Sequence, residues 1–143
     1  MTTDKHFPKL RPWSKLVGVN GDLADVIVGV LSWAGISHSI TVISLANFYS
    51  LFIQLSKEFP DLIQDLHSVT RQDEGDNFLY STRLCDALEA TFQLGVRISG
   101  DGQHLEMPPQ ICRQNLKRLR KRVGGELTIN LKPIGDRLAE LLK

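Results

Sequence analysis

"DLADVIVGVLSWAG", residues 22–35, decides how the chain is read. Leu23, Val26, Ile27, Val30, Leu31 and Ala34 fall at i, i+3, i+4, i+7, i+8 and i+11, one face of an amphipathic helix. Asp22 is placed to cap its start and Gly35 to end it. A helix with such a face needs apolar partners, and the rest of the sequence supplies them in helical spacing.

Ser37 or Ser39 starts "ITVISLANFYSLFIQLSKEF" (residues 40–59), which is apolar on nearly every side and predicts the central helix of a bundle. Its polar interruptions at Thr41, Ser44, Asn47, Ser50 and Gln54 leave it short of the roughly 20 apolar residues a membrane span requires. Pro60 suits the first turn of a short helix carrying Leu62, Ile63 and Leu66. "TRQDEGDN" (residues 70–77) reads as a polar loop. A fourth helix is expected from about Asn77 to Leu94, burying Leu84, Cys85, Leu88 and Phe92, with Gly95 as its stop.

Further on, Val96 and Ile98, then Leu105 and Met107, alternate with polar residues around "SGDG" (residues 99–102), a short β-hairpin. Pro108 and Pro109 open another helix, which Gly124 and Gly125 close. "ELTINL" (residues 126–131) alternates as a third short strand, and a last helix runs from about Ile134 to Leu142. The expected fold is mainly α: a single-domain helical bundle of about five or six helices with a small β-hairpin near the C-terminus. Residues 1–20 form an extended arm and 21–143 the helical domain.

The totals agree with one domain that buries its own core: 143 residues, 42% hydrophobic and 23% charged. Cys85 and Cys112 sit at apolar helical positions, as buried thiols in a reducing compartment do. "MTTDKHFPKLRPW" lacks the apolar core of a secretory signal, so a cytoplasmic location is expected. Net charge is +1, but its distribution is uneven. Residues 111–143 hold nine basic and three acidic residues, whereas residues 16–110 carry a net −8. That asymmetry predicts an anionic partner at the basic end, or copies stacking head to tail.

"RQNLKRLRKRVGG" (residues 113–125) concentrates the positive charge. Six of the ten residues from Arg113 to Arg122 are Lys or Arg, and none is acidic. Cys112, Leu116, Leu119 and Val123 form an inward stripe. Arg113, Lys117, Arg118, Arg120, Lys121 and Arg122 cover the rest. A solvated helix face usually mixes signs, because like charges at i, i+4 repel. Here the pattern predicts a rail for nucleic-acid phosphates, RNA or DNA. Phe7, Leu10 and Trp13 of the arm, interleaved with Lys9, Arg11 and Lys15, are candidates for docking on other subunits.

Other patterns carry less. "LSWAGISHSITVISL" echoes a helix-turn-helix, yet Ile40, Val42, Ile43 and Leu45 suit a core rather than base edges. "QDEGDN" (residues 72–77) lacks the alternating ligands and distant Glu of a calcium loop. His6, His38, His67 and His104 have no zinc spacing. No catalytic, cofactor or metal motif is found, so the expectation is a non-enzymatic subunit of a larger assembly. In size and helical character it is similar to the small helical subunits of CRISPR surveillance complexes, which line a nucleic-acid channel. That likeness of build implies electrostatic tracking of a backbone without sequence specificity. The alternative is an adaptor whose basic helix meets an acidic protein surface.

Overall fold

The computed structural model describes residues 23–60, 63, 69–73, 76–92 and 95–142. The chain is mainly helical with a small three-stranded antiparallel sheet. Its elements are α1 (Leu23–His38), β1 (Val42–Ser44), α2 (Leu45–Glu58), β2 (Val69–Asp73), β3 (Asp76–Tyr80), α3 (Thr82–Thr91), β4 (Arg97–Ile98), β5 (His104–Glu106), α4 (Pro109–Val123), α5 (Gly125–Asn130) and α6 (Lys132–Leu142). The expected arm and the helix expected after Pro60 lie outside the described residues, Ile63 excepted.

The central helix is α1, not the following apolar segment. Every residue from Leu23 to Gly35 is buried, the polar Asp25 and Ser32 among them. Its off-stripe positions, Ala24, Val28, Gly29 and Trp33, are small or apolar, so neighbours cover all sides: α3, α4 and α6 pack on it. Gly35 does not stop the helix. A Cβ there would lie 2.6 Å from Cys112 Sγ, so the residue serves close packing against α4. Ser39, at φ 58°, ends the helix instead, its N–H bonding the Gly35 carbonyl at 3.1 Å.

Residues 40–59 divide between two elements. Thr41, Val42 and Ile43 are β-branched and favour extended backbone; β1 pairs antiparallel with β5, Ile43 opposite Leu105. Ser44 then caps α2, its Oγ accepting from Asn47 N–H at 3.1 Å. α2 buries Phe48, Tyr49, Phe52, Ile53 and Leu55 and exposes Asn47, Gln54, Lys57 and Glu58, so it is amphipathic. The helix–strand–helix order also removes the helix-turn-helix echo.

Two further expectations are corrected. The polar loop at 70–77 and the start of the expected fourth helix form the β2–β3 hairpin, Thr70 opposite Leu79. Phe78, Leu79 and Tyr80 are strand formers, and the helix begins only at Thr82, where Ser81 Oγ accepts from Leu84 N–H. "ELTINL" is helical, α5, rather than a third strand. Thr128, mid-segment, is buried and its carbonyl accepts from Trp33 Nε1 at 3.0 Å, while Ile129 is 49% exposed. Short apolar alternation does not separate strand from helix. The third strand of the sheet is β1, in the order β1-β5-β4.

α1 and α6 meet where α6 has no room for a side chain at Gly135. A Cβ on Gly135 would lie 2.8 Å from Trp33 Cβ, 3.0 Å from the Val30 carbonyl oxygen and 3.2 Å from Ala34 N. Alanine normally stabilises a helix interior over glycine by about 1 kcal/mol. Gly135→Ala is expected to reverse that sign, destabilising by about 1–3 kcal/mol as two backbones are forced apart. Urea unfolding checks it, and a more stable variant would contradict the close approach.

Candidate nucleic-acid interface

α4 starts where Pro108 provides extended backbone and Pro109 supplies a preset helical φ at the first position. It ends at Gly124, φ 95°, whose N–H bonds the Arg120 carbonyl at 2.9 Å. Arg120, Lys121 and Arg122 in the last turn are favourable to the helix dipole. Cys112, Asn115, Leu116 and Leu119 are buried, and Val123 packs partly on the core. All six predicted cations are exposed, as are Gln110 and Gln114. The expected apolar stripe and exposed basic face are both present, except that Val123 is only half-buried and the polar Asn115 is buried with the stripe.

The six cations are not equivalent. Arg122 Nε donates to Asp25 Oδ2 at 3.0 Å, the acid side chain being 3% exposed and the arginine 42%. Arg118 Nη2 donates to Asn115 Oδ1 at 2.8 Å. Among the described residues no carboxylate lies within ion-pair distance of Arg113, Lys117, Arg118, Arg120 or Lys121. By contrast, Arg137 on α6 holds both Glu58 and Glu140, and Lys132 holds Asp136. Residues 107–125 contain no acid at all.

Sequence reasoning missed Asp25. It lies in the first turn of an apolar helix, and nothing in its own spacing names a partner 97 positions away. A small crevice of about 30 Å³ lies here, lined by Asp25, Val28, Asn115, Arg118, Leu119 and Arg122.

The remaining candidates are placed by the fold as follows. Cys112 is buried against the core with its thiol 3.6 Å from the Met107 carbonyl; burial pushes that thiol up, against the opposing charge of Arg113. Cys85 is half-buried beside Tyr49, whose hydroxyl is raised first by burial and then by the hydrogen bond with Cys85. His38 pairs with Asp136 at 2.8 Å and His104 with Asp101 at 3.5 Å. Asp73 is the register partner of Asp76 in the β2–β3 ladder. No cluster of His, Cys, Asp and Glu among the described residues is arranged to hold a metal ion, and no described helix is long and apolar enough to cross a membrane. Phe7, Leu10, Trp13, Lys9, Arg11, Lys15, His6 and His67 lie outside the described residues.

Comparison with protein-family models, with curated proteins and with solved structures finds no match for this chain.

The Asp25 carboxyl is raised above its ordinary value by burial, against the pull of Arg122. The folded chain holds this proton where the unfolded chain has released it. That contribution to stability is present at acid pH and lost as pH rises through the folded value. Glu58, Asp101 and Asp136 act in the opposite sense, lowered chiefly by hydrogen bonds from Arg137, Ser99 and His38 respectively. Subtracting the stability of Asp25→Asn from that of the wild type isolates the buried group. The difference should decline as pH rises above the ordinary aspartate value, measured by urea unfolding across that range. A difference that grows with pH would show that the arginine outweighs burial.

Proposed function

We propose that the protein is a non-catalytic helical subunit of a larger nucleoprotein assembly, which holds nucleic-acid backbone on the exposed face of α4. The observation that carries this reading is the unneutralised charge: five exposed cations on one helix with no carboxylate partner among the described residues. Like charges at i, i+4 cost a few tenths of a kcal/mol per pair in an isolated helix. Arg113 with Lys117 and Lys117 with Lys121 stand at that spacing with no carboxylate partner among the described residues, whereas Arg122, at that spacing from Arg118, is paired with Asp25. An arrangement with that cost and no internal compensation fits an external polyanion. Phosphates supply the compensating charge, and releasing their condensed counterions supplies the affinity.

Phosphate contacts carry no sequence information, so the tracking is independent of sequence. Other subunits dock through Phe7, Leu10 and Trp13 of the N-terminal segment, and the acidic middle of the chain offers a surface for the basic end of a neighbouring copy. A cytoplasmic location goes with this reading, since both thiols stay reduced there.

Fluorescence anisotropy of labelled oligonucleotides at about 50 and 200 mM salt tests the reading, each phosphate contact adding about −0.9 to the slope of log K against log salt on duplex. Binding that weakens steeply with salt is the expected result. Lys117→Glu with Arg120→Glu should keep the circular dichroism of the wild type and lose binding. A folded double variant that binds unchanged would overturn the rail. No binding even at low salt would point instead to an acidic protein partner.

A further inference from the structure

The six cations are arranged by type around α4. At about 100° per residue, the exposed positions follow one another around the helix in the order Arg120, Arg113, Lys117, Gln110, Lys121, Gln114, Arg118, Arg122. They span an arc of about 200° on that geometry. Arginines occupy both edges of the arc; lysines and glutamines occupy its middle. All eight residues are exposed, while Cys112, Asn115, Leu116 and Leu119 close the remaining side onto the core. About half of the circumference of α4 therefore faces solvent, with the half-buried Ile111 lying between Arg118 and Arg122 at one margin.

An arc that wide is poorly matched to a single line of phosphates. Arg113 and Arg120 on one edge point nearly opposite to Arg118 and Arg122 on the other, so one strand lying along the helix reaches one edge only. Two antiparallel backbones with a groove between them reach both. The guanidinium is also the group best suited to the outer positions, because it grips phosphate in a bidentate fork. On one edge Arg118 is braced by Asn115 Oδ1, which reduces the ordering needed on contact.

From this we infer that α4 lies in the major groove of B-form duplex DNA. Arg113 and Arg120 on one edge and Arg118 on the other contact the phosphates of opposite strands, Arg122 staying with Asp25, and the middle of the arc, Gln110 and Gln114 included, faces the groove floor. This rests on the reading of α4 as a nucleic-acid surface and narrows its ligand. A helix with side chains is about 10–12 Å across, and the B-DNA major groove is about 12 Å wide and 8.5 Å deep. The corresponding groove of duplex RNA is too deep and narrow for side chains to enter. Single-stranded binders add aromatic side chains on which bases stack, and α4 contains no aromatic residue. Charge, width and the absence of stacking groups therefore converge on one form of nucleic acid.

The test compares full-length protein on three labelled probes of one sequence at fixed salt: a DNA duplex of about 20 base pairs, two helical turns, the matching RNA duplex, and the single DNA strand. Tighter binding to the DNA duplex by tenfold or more is expected. Arg113→Glu and Arg118→Glu, one from each edge, should each weaken it tenfold or more, Arg113→Glu with an unchanged unfolding midpoint and Arg118→Glu with a lowered one because it gives up the bond to Asn115. Arg118→Lys, which keeps the charge and loses the fork, covers the case in which the glutamate variant is misfolded; it should lose binding to a smaller extent. Equal affinity for all three probes, or loss from Arg113→Glu with none from either Arg118 variant, overturns the groove while leaving a one-sided phosphate rail in place. Failure to bind any probe overturns both readings together.

Discussion

The burial of α1 from Leu23 to Gly35 is the constraint from which the other features follow. A helix apolar around its full circumference has no face to give to water, so each side requires a covering element. α3, α4 and α6 supply that cover, and two of the approaches are close enough to exclude a Cβ, at Gly35 against Cys112 and at Gly135 against the α1 backbone. The position of α4 is thus set from inside. Cys112, Leu116 and Leu119 fix its rotation by packing inward, and the rotation alone determines which residues face solvent. The basic face has its direction because the central helix demands apolar contact on the opposite side.

Asp25 links that core to the surface charge. A carboxylate taken out of water is costly unless a cation satisfies it, and Arg122 reaches across from the last turns of α4 to do so. The pair ties the start of α1 to the C-terminal end of the basic helix. It also divides the work of the six cations: Arg122 is engaged with the domain itself, while Arg113, Lys117, Arg118, Arg120 and Lys121 have no carboxylate partner among the described residues. The count of basic residues in sequence therefore overstates the charge available to a partner, though by only one of six.

What was legible in the sequence divides along physical lines. The helical class, the C-terminal hairpin and both ends of α4 were readable, because prolines, glycines and a 3.6-residue apolar period are local signals. So was the inward stripe of Cys112, Leu116, Leu119 and Val123. The identity of the central helix was not, since Val28, Gly29 and Trp33 lie off the main stripe and only their three-dimensional neighbours reveal that they are covered. The β2–β3 hairpin was hidden by the polar residues around it, and "ELTINL" misled because six residues fit both periods. Asp25 with Arg122 could not be paired from sequence, being separated by 97 positions.

The breadth of the basic arc follows from how little of α4 the core requires. The helix is amphipathic, with a buried side of four residues and a half-buried margin at Ile111 and Val123. Every position outside that side was open to any soluble residue. The chain fills those positions with cations and amides and with no carboxylate between Met107 and Gly125. Packing does not require this choice, because mixed charges would have kept the helix equally soluble and removed its internal repulsion. The fold accounts for where α4 lies and which way it turns but not for the sign of the charge it carries outward, and on that unexplained charge the proposed nucleic-acid partner rests.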